Sequence, residues 1–299
     1  MEFIFQCAPA MLQKHGARGA AFWIIICVVM YCCNHRFRNP TQLEDATACH
    51  NTRLFETSNK LAVMIEPRKV PNLLLVIDNF IKNLPADWRM HLFLSRSNVG
   101  LVLGAHSLQQ WLACRRISVS TYLHVHKYPE DYNKVLLSAE FWKSLPGEHI
   151  LIFQTDSVLC SASPHSIDDF LQYDYVGARW ASAPHLPCGN GGLSLRRKDM
   201  VLKVLHQRQA VNFSIPEDVW YCEALMTANA TLPAPNVSNA FAVESNFHAM
   251  PLGMHKFYAF QQGLKRQQLL TYCPEARILL PLRWSHRVTN WLGMPTTSH

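Results

Sequence analysis

At 299 residues, the chain is long enough to bury a full core, as one large domain or two small ones. Charged residues at 16% and hydrophobic residues at 49% exclude a disordered or low-complexity chain. The net charge of +7 suits an anionic ligand such as a phosphate, but no dense Lys/Arg run alternates with aromatics, so no nucleic-acid partner is expected.

Residues 1–18 read as an N-terminal tail. Residues 19–33 (GAAFWIIICVVMYCC) carry no charge and are flanked by Lys14 and Arg18 before and Arg36 and Arg38 after. The run is shorter than the roughly 20 residues that span a typical bilayer, yet tilt or snorkelling arginines can close that gap. It is expected to be a transmembrane signal-anchor helix, with a cleaved signal peptide and a buried helix as rival readings. Basic residues on both sides leave its orientation open. Residues 34–60 lack periodicity and read as a stem or linker, followed by a domain over 61–272 and a C-terminal extension over 273–299.

Within the domain, LAVMIE (61–66) is a short apolar run that ends on a charge. LLLVIDNFIKNL (73–84) has helical spacing, MHLFLS (90–95) reads as a strand, and Ser107 to Arg115 as a helix. ISVSTYLHV (117–125), rich in β-branched residues, predicts a strand. DYNKVLLSAEFWKSL (131–145) predicts one helix that stops at Pro146-Gly147, and HILIF (149–153) the next strand. Strands alternating with helices of this length predict an α/β fold with a mainly parallel sheet. Ligands of such sheets gather at the carboxyl ends of the strands, which places Glu66, Ser95 and Asp156 on one edge.

Of the ten cysteines, Cys27, Cys32 and Cys33 fall in or beside the apolar run. Cys49, Cys114, Cys160, Cys188, Cys222 and Cys273 are scattered without a C-x-x-C pair, so a zinc site is not expected. These six are compatible with disulfides in a secretory lumen or with reduced, buried thiols, and their connectivity stays open. N-x-S/T sequons occur at Asn212, Asn229 and Asn236.

Four stretches could carry chemistry. In HILIFQTDS, Asp156 follows an apolar strand, with Gln154 two residues earlier on the same side. A carboxylate so placed can hold a hard divalent cation, or simply accept backbone N–H bonds in a turn. GNGGLSLR (189–196) combines flexible glycines with a strand, and fits neither the dinucleotide fingerprint nor the P-loop. In IPEDVWYCEAL (215–225), Glu217 and Asp218 are ordinary first-turn acids of a helix that opens on Pro216, or one of them is a general base. In PLGMHKFY (251–258), His255 follows a glycine and precedes a helical stretch.

In this order, strand-QTD, GNGGLSLR, PED and GMHK resemble the GT-A superfamily of nucleotide-sugar-dependent glycosyltransferases. The resemblance spans roughly residues 61–260 and is nearest to a domain-of-unknown-function family of that clan. It implies a single domain with a mixed, mainly parallel sheet flanked by helices and preceded by the N-terminal hydrophobic helix. It further implies Asp156 and His255 as ligands of Mn²⁺ or Mg²⁺, and Asp218 as the base, with Glu217 as second candidate. Gly191 and Gly192 would shape the pocket, while Glu66 and Arg68 would touch the nucleotide. Gln154 stands where the family has the first acid; it can hydrogen-bond ribose or sugar but adds no charge. The implied donor is a UDP- or GDP-sugar, the acceptor a hydroxyl of a glycan, protein or lipid, and the location a lumenal face of the secretory pathway or Golgi. A catalytically inactive relative that binds a sugar or a partner is the alternative. No G-x-S-x-G, H-E-x-x-H or P-loop supports a hydrolase or another class.

Overall fold

The computed structural model describes residues 58–121, 130–207 and 215–280, so the apolar run at 19–33 and the stem lie outside the described residues. No helix among the described residues is long and apolar enough to cross a membrane. Strand β1 (Lys60–Glu66) leads through helix α1 (Leu73–Asn83) to β2 (Arg89–Leu94). Helix α2 (Arg96–Gly104), a 3-10 turn (His106–Leu108) and α3 (Gln109–Ala113) then precede β3 (Ile117–Thr121). Helices α4 (Glu130–Leu136) and α5 (Ala139–Ser144) lead into β4 (His149–Phe153), closely followed by β5 (Ser157–Leu159). The chain continues as β6 (Tyr175–Gly177), β7 (Leu193–Arg197), α6 (Lys198–Gln207), α7 (Glu217–Thr227) and α8 (Pro235–Phe241). It ends with β8 (Ala242–Val243), β9 (Gly253–His255), α9 (Phe257–Phe260), α10 (Gly263–Tyr272) and a 3-10 helix at Pro274–Leu279.

The main sheet has the order β3-β2-β1-β4-β7-β6. The pairings β3–β2, β2–β1 and β1–β4 are parallel, whereas β7 runs antiparallel to both neighbours. From β1 the chain first winds outward to β2 and β3 and then returns to β4 on the other side. The crevice beyond the carboxyl ends of β1 and β4 is therefore a topological switch point, where ligands of open α/β sheets bind. Glu66 closes β1 at that edge, and the segment QTD leaves β4 there.

Alternation along β4 divides the core into two layers. Ile150 and Ile152 join Leu61, Val63 and Ile65 against Trp142, Val204, Trp220 and Tyr221 from α5, α6 and α7. On the opposite face, Phe153 stacks on Phe80 of α1 with ring centroids 4.1 Å apart. Helices thus cover both faces, which is why β1 is buried along nearly its whole length instead of alternating.

Local chemistry redraws two helices. The segment expected as one helix over 131–145 breaks at Leu137-Ser138, because the Ser138 hydroxyl caps α5 by accepting from the Phe141 N–H. Helix α2, in a glycine-interrupted stretch without helical periodicity, is started by Ser95, whose hydroxyl accepts from the Asn98 N–H. Ser95 is thus a cap at the sheet edge.

Two disulfides pin the carboxyl edge. Cys188, just before the glycine loop, bonds Cys222 of α7, and Cys160, just after β5, bonds Cys273 beyond α10. Cys273 therefore ties the start of the 273–299 segment to the end of β5, a strand of the separate three-stranded sheet β5-β9-β8. All four sulfur-bearing residues are buried. Replacing Cys188 and Cys222 together by Ser is expected to destabilise the protein by about 2–4 kcal/mol, read from the urea midpoint; an unchanged midpoint would show that this bridge does not constrain the fold.

Candidate active site

The residue pair at the centre of the edge is made by a short strand pairing. After β4, a tight turn closes when the Ser157 N–H and hydroxyl both donate to the Gln154 carbonyl, at 3.1 and 2.6 Å. Strand β5 then pairs antiparallel with β9, setting Ser157 opposite His255. Asp156 Oδ1 consequently lies 3.2 Å from His255 Nε2. His255 is the last residue of a buried strand, with its other ring nitrogen, Nδ1, 3.0 Å from Oε1 of the buried Glu244. The Lys256 N–H donates to the Asp156 carbonyl, and its ammonium lies 3.5 Å from Asp156 Oδ2.

These contacts set the charges. Burial opposes ionisation of Asp156, but the contact and charge of His255, with Lys256 adding, push its pKa down to about 2. Burial also opposes the imidazolium, yet the carboxylates of Asp156 and Glu244 prevail and raise the His255 pKa above its ordinary value. Tyr258 is raised by burial and by the charge of Asp156, which marks it as another neighbour of that carboxylate.

Asp156 Oδ1 and His255 Nε2 are both buried and face each other at 3.2 Å as an ion pair, outside hydrogen-bond geometry and without a hydrogen bond to any other group. Buried polar atoms ordinarily find partners. Adjacent ligands of an octahedral cation with bonds near 2.1 Å stand about 3 Å apart, so these two orphaned atoms fit neighbouring positions on one divalent ion. Glu244 stands on the other ring nitrogen of His255, the place where an outer carboxylate would fix the tautomer if the imidazole held a metal. Among the described residues there is no group of three or more His, Cys, Asp or Glu that could hold a metal.

The glycine loop joins this pair to the PED segment. Because β7 runs antiparallel to β4, its first residue, Leu193, pairs with Phe153, the last residue of β4. Gly191 and Gly192 are thereby delivered to the carboxyl edge, where the Gln154 N–H donates to the Gly192 carbonyl at 2.9 Å. A Cβ on Gly192 would collide with His255 Nε2 and lie 2.8 Å from Gln154 Oε1. A Cβ on Gly191 would collide with Glu217 Oε1 and lie 3.2 Å from Asp218 Cβ. Only glycine permits both approaches. The Gly191 N–H donates to Asp218 Oδ2 at 3.0 Å, and Asp218 Oδ1 accepts from the Val219 N–H at 2.9 Å.

Asp156, His255, Gln154, Gly191, Gly192 and Asp218 are therefore brought together. Glu217 points the other way. Both its oxygens accept from the fully buried Arg196 guanidinium, at 2.8 and 3.0 Å, inside a ring of Tyr175, Tyr221 and Trp142. Burial acts against the charge on Arg196, but Glu217 and Tyr175 hold its pKa above the ordinary value. Arg196 also donates to the Ser194 hydroxyl, which in turn donates to the Gly191 carbonyl, so the pair underpins the glycine loop from within. Glu66 is buried at the end of β1, accepting from Arg68 and from the Thr155 hydroxyl at 2.8 and 2.9 Å. It braces the QTD turn from behind, and Arg68 is half-exposed beside it. Surface cavities of about 390 Å³ (around Arg266 and Arg277) and about 590 Å³ (around Lys143 and His206) are lined by other residues.

Sequence reasoning did not single out Glu244, Arg196, Lys256 or Tyr258. Lys256 and Tyr258 adjoin His255 in the chain, a usable signal. Glu244 and Arg196 act only through strand pairing and burial.

Residues 116–255 match a family described as a protein of unknown function (DUF5672), a span that takes in QTD, GNGGLSLR and PED and ends at His255, within GMHK. No curated protein matches the chain. Among solved structures, it is similar to the apo form of the glycosyltransferase GlyE of Streptococcus pneumoniae TIGR4, at 10% identity and a TM-score of 0.45, covering 81% of this chain and 66% of that one. It is also similar to the mannosyltransferase PcManGT of Pyrobaculum calidifontis in complex with GDP-Man and Mn²⁺, at 11% identity and a TM-score of 0.40, covering 64% and 63%. A third is the apo structure of the bifunctional glycosyltransferase WbbM, at 6% identity and a TM-score of 0.45, covering 68% and 46%. The chain thus spans about two thirds or less of the length of these three structures, all of which are glycosyltransferases.

Two outcomes follow from this geometry. Gly192→Ala is expected to displace His255 and cost about 1–3 kcal/mol through overpacking, measured by urea unfolding; an unperturbed variant would mean that the loop does not press on the histidine. The His255 ring, followed by NMR in metal-free protein, is expected to titrate above 6.5. Its raised folded pKa contributes stability that is fully present below the unfolded value of 6.5 and is lost as pH rises through the folded value. Asp156 behaves oppositely: its contribution is present above the unfolded value of 3.8 and is lost as pH falls toward about 2.

Proposed function

We propose that the chain is a glycosyltransferase that moves a sugar from a nucleotide-diphosphate donor to an acceptor hydroxyl. The observation that carries this reading is the convergence of an unsatisfied Asp156–His255 pair and a backbone-oriented Asp218 on two consecutive glycines at the switch point.

Asp156 and His255 would hold a divalent cation, which supplies counter-charge to the diphosphate leaving group. The Lys256 ammonium, 3.5 Å from Asp156, adds a fixed positive charge on the same side. Gln154 offers a neutral amide to ribose or sugar hydroxyls. Asp218 is the base: each of its oxygens accepts one backbone N–H, which fixes the carboxylate plane and leaves a lone pair on each for the acceptor. As the acceptor O–H gives its proton to Asp218, the oxygen bonds to the anomeric carbon and the carbon–oxygen bond to the diphosphate breaks, inverting that centre. Glu217, with both oxygens on Arg196, serves by holding α7 and the loop. We place this domain in the secretory lumen, anchored through residues 19–33, with a glycan, protein or lipid as acceptor.

The second reading is a sugar-binding relative without turnover, and the neutral Gln154 in the position of an acid favours it. Isothermal titration with UDP and GDP, with and without Mn²⁺, tests both readings. Binding of one nucleotide that strengthens with Mn²⁺ and is lost in Asp156→Ala is the expected result, and no binding of either nucleotide would overturn the proposal. Asp218→Asn is expected to keep that binding while donor turnover falls about 10²–10⁴-fold; wild-type turnover in this variant would remove Asp218 from the role of base.

A further inference from the structure

We infer that Asn229 is an N-glycosylation site, and this inference is independent of the transferase reading. Asn229-Ala230-Thr231 has the acceptor pattern N-x-S/T with x other than proline. The structure places this tripeptide at the surface immediately beyond the end of α7, with Asn229 and Thr231 both exposed.

The backbone explains part of that placement. Asn229 has φ 53°, in the left-handed region. Its N–H donates to the Met226 carbonyl at 3.3 Å, and the Ala230 N–H reaches back to the Leu225 carbonyl at 3.0 Å. Together these bonds form a Schellman motif, which favours glycine or asparagine at this position. The cap accounts for an asparagine at 229, but it uses main-chain groups only and places no demand on residue 231. Thr231 is held through its own backbone, its N–H donating to Asp174 Oδ2 at 2.7 Å and its carbonyl accepting from the Asp174 N–H at 2.9 Å. Both sequon side chains are thereby left to solvent on a rigid turn. By contrast, the sequon at Asn236 lies within α8 and its hydroxyl, on Ser238, is fully buried; Asn212 lies outside the described residues.

The second, separate observation concerns compartment. Cys160–Cys273 and Cys188–Cys222 join segments 113 and 34 residues apart, and all four cysteines are buried. Bridges of this kind form where the chain folds under oxidising conditions, and in eukaryotic cells that compartment is also where sequons are read. There the Asn229 carboxamide nitrogen loses a proton and bonds to the anomeric carbon of an oligosaccharide carried on a lipid diphosphate. The bond between sugar and phosphate breaks, and the lipid diphosphate leaves. A glycan at this position would also be compatible with a working site: Asp218 lies in the first turn of α7, and 11 residues of helical rise separate it from Asn229 by about 16 Å.

The test is expression of the full chain in a human secretory-competent cell line, digestion with peptide N-glycosidase F, and peptide mass spectrometry. Conversion of Asn229 to Asp on enzymatic release is the expected result, and it should vanish in both Asn229→Gly and Thr231→Ala. Asn229→Gly retains the left-handed cap, so loss of the glycan there cannot be put down to misfolding. Recovery of unmodified Asn229 alongside the Cys188–Cys222 linked peptide would overturn the inference, as would recovery of Cys188 and Cys222 as free thiols.

Discussion

The antiparallel pairing of β7 with β4 is the constraint on which the candidate site depends. Were β7 parallel like the four strands before it, its first residues would sit at the amino edge of the sheet, and the glycine loop would open away from the switch point. Reversed, it puts Leu193 beside Phe153, and Gly191-Gly192 against Gln154. A second reversal, β9 against β5, does the same for His255, which arrives beside Asp156 from almost 100 residues away. Two short antiparallel ladders thus gather residues that no local rule of helix or strand formation brings together.

Around these ladders the electrostatics divide into two compartments separated by the glycines. On one side of Gly192, a carboxylate, an imidazole and a second carboxylate stand in line (Asp156, His255, Glu244), with two of their buried atoms facing each other outside hydrogen-bond geometry. On the other side of Gly191, Arg196 and Glu217 form a closed bidentate pair buried among aromatic rings. An incompletely satisfied set is suited to taking a ligand. A closed pair is not, and it is costly to disturb, since removing one partner leaves a buried charge uncompensated. Under the proposed function, this contrast favours the half-buried Asp218 over Glu217 as the base.

Much of the sheet was legible in the residues. The runs 61–66, 90–95 and 149–153 and the helix at 73–84 stand out because buried parallel strands are continuously apolar and their crossover helix is amphipathic. The helix at 131–145 was over-read, since Leu137-Ser138 continues its apolar pattern while the serine starts a new cap. Helix α2 was missed because RSNVGLVLG has little helical periodicity and depends on the capping serine before it. Glu244 and Arg196 were invisible for a different reason: a charged residue in or just after an apolar strand looks solvent-facing until its partner, distant in sequence, is known.

The sequence by itself determined the alternation of strands and crossovers, the carboxylate at the end of β4, the glycines ahead of β7 and the sequon at Asn229, because each depends on local propensity or spacing. Only the tertiary structure decided which carboxylate of the PED segment faces the edge, which cysteines pair, and that His255 is a buried strand residue whose ring lies between two acids. Those outcomes depend on strand direction and on burial, which are set by contacts between segments far apart in the chain.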